Sequence, residues 1–206
     1  MSRRAAVASM GMVLAALVGG VACSVPAGAA AKAPHAKVSV HDSVKASTTL
    51  AKLQQTVVIP PGTFVGTVAP ANGAMRGALT LPSATTTLKI AGIGLATVTV
   101  SLTQTKATTG TFNFTTFLVR ATSTFNIHVD SVKPLGLPVN LVGSHCTTTT
   151  PVALRFSGVV SPFGGGTVSG KYTIPPLTRC RASTSALNVA LAGGGNTFTA
   201  AMAPVL

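Results

Sequence analysis

Between Phe117 and Asp130 the chain alternates strictly between two kinds of residue. Phe117, Val119, Ala121, Ser123, Phe125, Ile127 and Val129 fall on one side; Arg120, Thr122, Thr124, Asn126, His128 and Asp130 fall on the other. Successive side chains of a strand point to opposite faces, so this period of two predicts a long, half-buried strand. The same rhythm recurs in Val152, Leu154 and Phe156, and again in Val168, Gly170, Tyr172 and Ile174. The "SPFGGG" between those two runs predicts a hairpin. In "GTFVGTVAPANGAMRGALTLP", strands near Thr63–Val68 and Ala74–Leu81 flank Asn72-Gly73, a pair suited to the positive φ of a tight turn. "TTTLKIAG", "ATVTVSLTQT" and "ALNVALAGGGNTFTAAM" predict further strands, and residues 44–57 favour strand through Thr48-Thr49 and the preceding Val38, Val40 and Val44. The triplets Ile59-Pro60-Pro61 and Ile174-Pro175-Pro176 are expected to terminate strands, because proline cannot donate to a ladder. No amphipathic helix is expected beyond the first thirty residues. The expected fold is all-β: an antiparallel β-sandwich or β-barrel of about nine to eleven short strands.

The N-terminal residues break this rhythm. Arg3 and Arg4 precede an uncharged apolar run over residues 10–22, and Ala27-Gly28-Ala29 has the small-x-small form of a signal-peptidase site. Residues 1–30 are therefore expected to be a cleavable signal peptide, 31–37 a mobile lead-in and 38–206 a single all-β domain. An uncleaved anchor is the rival, but Pro26 and the small residues suit cleavage better than a continuing helix. Cys23, in "GVAC", is a possible lipidation site, although Gly20 stands where a lipobox has a Leu-like residue. The twin arginine lacks the bulky apolar residues that usually follow it in a Tat signal. The expected location is secreted, extracellular or cell-envelope, with no transmembrane segment after cleavage.

Composition then narrows the partners. Asp42 and Asp130 are the only acidic residues, and the formal charge is +13; without Arg3 and Arg4 it is about +11. Such a field attracts anionic cell-envelope polymers or lipid. The basic residues are scattered rather than striped, and export argues against nucleic acid as a partner. Tryptophan is absent and Tyr172 is the only tyrosine, which disfavours sugar stacking. The eight phenylalanines mostly occupy alternating apolar positions, as core residues would.

With Cys23 removed, Cys146 and Cys180 remain, and in an oxidising compartment they are expected to form a disulfide. Closing a loop of about 35 residues is worth roughly 3.5–4 kcal/mol. A zinc site would need a fourth ligand beyond His145, Cys146 and Cys180, and a thiol nucleophile would need a free cysteine. His128 and Asp130 form a weak candidate polar pair that a serine would complete into a triad on paper. No G-x-S-x-G elbow accompanies them. With no glutamate, paired-carboxylate chemistry would have to join Asp42 to Asp130, and Asp42 lies in the terminal region. Gly164–Gly166 and Gly193–Gly195 lack the Lys-Ser/Thr of a P-loop and are expected to be hairpin connections. The threonines at 147–150 suit a polar stretch beside the disulfide, and Asn113-Phe114-Thr115 fits a glycosylation sequon. No cofactor, metal or catalytic residue is expected.

The segments "STTLAKLQQTVVIPPGTFVGTV", "LPSATTTLKIAGIGLATVTVSL", "STFNIHVDSVKPLGLPVNLVGSHCTTTTPV", "GKYTIPPLTRC" and "GGGNTFTAAM" span residues 47–202. In them the chain resembles functionally uncharacterised exported β-rich proteins of Streptomyces-like actinobacteria. The resemblance implies secretion and a β-rich domain, and it carries over no site residues. The expected function is a non-enzymatic secreted or cell-envelope interaction module. The alternative is a carrier of a lipid or other apolar ligand in a barrel-like cavity, and a secreted hydrolase stands third.

Overall fold

The computed structural model describes residues 36–90 and 93–205. The expected signal peptide, Cys23 within it and most of the lead-in lie outside the described residues. Eleven strands form: β1 (Val38–Leu50), β2 (Gln55–Val68), β3 (Ala74–Thr80), β4 (Ala84–Ile90), β5 (Ile93–Phe112), β6 (Leu118–Pro134), β7 (Thr147–Thr148), β8 (Val152–Ser161), β9 (Gly165–Ile174), β10 (Leu177–Thr178) and β11 (Gly193–Pro204). Every pairing is antiparallel. The ring β1-β2-β3-β5-β6-β8-β9-β11 returns to β1, so the sheet closes into an eight-stranded barrel. Closure removes the open edges that a sandwich would leave. β4 pairs with β5 on the same edge as β3, and β7 and β10 extend from β6.

The alternating faces come out as the sequence suggests. Val119, Ala121, Ser123, Phe125 and Val129 of β6 are buried, as are Val152, Leu154 and Phe156 of β8. After Val129 the phase slips: Val100 pairs with Val129 while Thr99 pairs with Ser131, leaving Asp130 as the extra residue of a bulge. The next buried position is accordingly Val132. Bulges of this kind let strands bend around a barrel without ending. That is why β5 runs for 20 residues, much longer than the short strands expected, and β6 for 17, carrying the long strand expected over 117–130 on to Pro134.

The first proline triplet also departs from expectation. Ile59-Pro60-Pro61 lies inside β2 rather than ending it. Val44 pairs with Gly62 and Ala46 with Ile59, so Lys45 alone faces both prolines across a bulge. A bulge is where a strand can dispense with ladder donors, which is the condition proline requires. Ile174-Pro175-Pro176 behaves as expected and ends β9. The PANG turn forms between β2 and β3, with Gly73 at φ 67°, a conformation that glycine adopts without steric penalty.

A second correction concerns "ALNVAL", expected to be strand. A 3-10 turn (Arg181–Ser183) leads into helix α1 (Thr184–Leu191). Tertiary contacts override the apparent alternation. Leu187 is buried while Val189 is 73 % exposed, and the Asn188 amide clasps the Leu177 backbone, accepting from its N–H at 2.6 Å and donating to its carbonyl at 3.0 Å.

β3 and β4 behave as one strand broken at Leu81-Pro82-Ser83. Both pair with β5, β3 through Ala74–Gly77 and β4 through Ala84–Ile90. Two glutamines bridge what the break leaves open. The Gln55 amide accepts from the Lys89 N–H (3.1 Å) and donates to the Thr87 carbonyl (2.6 Å), standing in for a peptide group between β2 and β4. Gln104 accepts from the Leu79 N–H and donates to Thr108, which is itself hydrogen-bonded to Ser123 in the buried interior.

Two apolar clusters result. The larger fills the barrel around Val44, Ile59, Phe64, Phe125, Leu154 and Phe198. The smaller joins Val98, Val129, Val142, Leu177 and Leu187 to the two cysteines, and packs over one end of the barrel.

Candidate functional site

The barrel interior is not completely filled. At the end carrying the β2–β3, β5–β6 and β8–β9 hairpins lies a cavity of about 400 Å³. Its walls include Phe64, Phe112, Phe117, Phe156 and Phe198; with Phe114 at the rim, six of the eight phenylalanines line this one space. Phe112 and Phe114 meet edge to face, with ring centroids 5.0 Å apart. Val38, Phe114 and Val205 stand exposed around the mouth. Alternation explains the concentration: an inward strand position takes an apolar side chain, and the strands converge on the same interior.

One inward position at this cavity carries an acidic group. On β1 the inward series is Val40, Asp42, Val44 and Ala46, and Asp42 is only 7 % exposed. Its carboxylate fronts the cavity. Among the described residues no hydrogen bond or ion pair reaches it; burial pushes its pKa up, against a smaller opposing pull from neighbouring His41. A carboxylate held mostly out of water in an apolar setting shifts toward its neutral form. The terminal position that seemed to set Asp42 aside therefore places it within the barrel mouth. The readable signal was its phase, since it shares parity with Val40 and Val44.

Beyond Phe198 lies a smaller void of about 120 Å³ between Leu50, Val57, Val98, Val129, Leu177 and Leu191. Tyr172 also borders it, its hydroxyl 2.6 Å from Thr48 Oγ1. Thr48 gives its one proton to the Thr197 carbonyl at 2.8 Å, so the tyrosine is the donor to Thr48. Burial raises the phenol pKa, and the Thr48 hydroxyl, which can turn to donate to the phenolate, opposes the rise.

The other candidates lie elsewhere. Cys146 and Cys180 are joined, with Sγ atoms 1.97 Å apart, and are 1 % and 0 % exposed. His145 is exposed, unlike this buried pair. Thr147 and Thr148 bind both polar groups of the Ile127 peptide, the former donating to its carbonyl and the latter accepting from its N–H. His128 and Asp130 are separated by the bulge and make no hydrogen bond to each other. Instead Ser101, which faces His128 across the ladder, donates to Asp130 Oδ1 at 2.9 Å. A serine bonded directly to the carboxylate does not have the serine–imidazole–carboxylate order of a triad. Asn113 of the sequon turns the β5–β6 hairpin, accepting from the N–H groups of Thr115 and Thr116. No group of three or more His, Cys, Asp or Glu side chains gathers among the described residues, and no described helix is long and apolar enough to cross a membrane.

The sheet also brings together basic residues that are scattered in sequence. Arg155 and Lys171 are direct cross-strand partners on the outer face, and Arg120 projects from the adjoining β6. Together with Ser157 and Ser169, Arg120 and Arg155 line a shallow outer groove. No protein-family model matches this chain, and no curated protein or solved structure shows significant similarity to it.

Proposed function

We propose that this protein is exported and acts as a non-catalytic carrier of one small apolar ligand, held at the hairpin end of the barrel. The cavity of about 400 Å³ carries this reading. It falls within the roughly 300–1,000 Å³ typical of ligand pockets, and an eight-stranded barrel is the size that either just fills itself or holds one small molecule. A surface interaction module would gain nothing from an unfilled interior, because empty apolar volume costs stability. The buried disulfide suits an oxidising compartment outside the cytoplasm.

The neutral fluorophore N-phenyl-1-naphthylamine tests the proposal. It should bind saturably, one per chain, and 1-octanol should displace it. Ala200→Phe, which projects a ring from a cavity-lining position, should abolish binding while the fold is retained. Unsaturable binding, or binding indifferent to this substitution, contradicts the carrier role.

The outer basic patch favours a second, compatible reading: attachment to an anionic envelope polymer. Like charges directly opposite across a ladder are destabilising, and a polyanion seated on Arg120, Arg155 and Lys171 would relieve that repulsion.

A further inference from the structure

Asp42 raises a question that an apolar carrier does not answer. The chain has only two acidic residues, and one of them projects from an inward strand position into a phenylalanine-lined cavity. An asparagine, threonine or valine would occupy that position without the cost of a buried carboxylate. Among its lining residues the titratable groups are His41 and Asp42; His41 is exposed on the opposite face of β1 and offsets only part of the effect of burial. Among the described residues the carboxylate therefore has no hydrogen-bond or ion-pair partner, and its oxygens stay open to the cavity mouth.

We infer that the ligand itself supplies the partner, and that the cavity selects apolar molecules bearing a protonated amine, with the ammonium on Asp42 and the hydrocarbon among the phenylalanines. Two features of the site act together on such a cation. The carboxylate offers a charge-assisted hydrogen bond, stronger than a neutral one. The phenylalanine rings add the attraction of a cation to aromatic faces, which strengthens when water is excluded. A neutral alcohol of the same length gains only the hydrocarbon contacts and an ordinary hydrogen bond. A fatty acid would bring a second carboxylate against the first and must share or take up a proton to bind.

The inference rests on the carrier reading, and n-octylamine, 1-octanol and octanoate separate the two. All three carry the same chain and differ in the head group. Their affinities for the full domain, measured at pH 7 by displacement of N-phenyl-1-naphthylamine, should rank octylamine first, at least about tenfold tighter than octanol. Asp42→Asn should erase that preference, so that octylamine and octanol bind alike. In the unmodified protein the preference should also fade as pH falls and Asp42 takes up its proton, which gives a readout independent of the variant. Equal affinities for all three probes, or a preference for octanoate, overturns the ammonium anchor and leaves the apolar carrier standing. No displacement by any probe defeats the carrier reading, and the anchor with it.

Discussion

Removing the disulfide tests how the capped end of the barrel is held. Cys146 and Cys180 lie 34 residues apart in sequence, and the intervening chain contains the whole β8–β9 hairpin. Opening that loop in the unfolded state costs about 4 kcal/mol of stability on the chain-entropy account. Replacing both cysteines by alanine also removes two sulfur atoms from a fully buried cluster, each comparable to a deleted methyl group at about 1 kcal/mol. The sum, about 5–6 kcal/mol, is a large share of the 5–15 kcal/mol typical of a domain. The loss should fall unevenly. β7 and β10 contribute only two ladder pairs to each other, Leu177 with Thr148 and Thr178 with Thr147, and without the crosslink the layer rests on the Asn188 clasp, the threonine bonds to Ile127 and one small apolar cluster. The barrel strands retain their own ladders. The chain lacks tryptophan, so unfolding is followed in urea by circular dichroism and by the fluorescence of Tyr172, with amide exchange reporting the layer. The double Cys→Ala variant should unfold at much lower urea, and amides at 177–191 should lose protection before those of β1, β2 and β11. A variant within about 1 kcal/mol of the oxidised protein, with unchanged exchange at 177–191, would refute the assignment of this bond as the staple of the cap.

Four further expectations follow from single contacts. Tyr172→Phe leaves Thr48 Oγ1 without its donor and should cost about 0.5–1.5 kcal/mol in urea unfolding. Gln55→Ala removes the amide that bridges β2 and β4, and should cost about 1–3 kcal/mol, with faster exchange at Lys89. Asp42 has a folded pKa above its ordinary 3.8, so between the two values the folded protein holds a proton that the unfolded chain has released. Ligand-free stability should therefore be highest below pH 4 as far as this group is concerned, and should fall as pH rises through the folded pKa; Asp42→Asn should remove that falling limb from a series of urea midpoints. Lys171→Glu replaces a repulsive pair with Arg155 by an attractive one, and should raise stability by about 0.2–1 kcal/mol while weakening salt-sensitive retention on a polyphosphate resin.

Much of the fold was legible because period two survives in a half-buried strand. The β6, β8 and β9 faces, the Asn72-Gly73 turn and the β8–β9 hairpin could all be read this way. What escaped was set by contacts distant in sequence. Pro60-Pro61 passes through a strand because Lys45, on another strand, leaves room for a bulge. Residues 184–191 are helical because Asn188 is clasped to Leu177 across a disulfide-linked layer. Closure into a barrel depends on β5 meeting β6 along nearly its whole length, and alternation is equally compatible with a sandwich. The site was half legible. The Cys146–Cys180 bond followed from the number of cysteines and the compartment expected for them. Most of the phenylalanines looked like core, because nothing local separates a side chain that fills an interior from one that lines a hollow. Asp42 could have been found by its parity alone.

The central claim is that an exported barrel keeps an interior hollow for a guest. Native mass spectrometry of the protein captured from the medium of secreting cells addresses it most directly. The account expects a chain processed near Ala30, with its two remaining thiols oxidised and a small organic molecule bound one to one that solvent extraction removes. A chain that leaves the cell at its bare polypeptide mass under every growth condition, and takes up no added apolar amine, would contradict it.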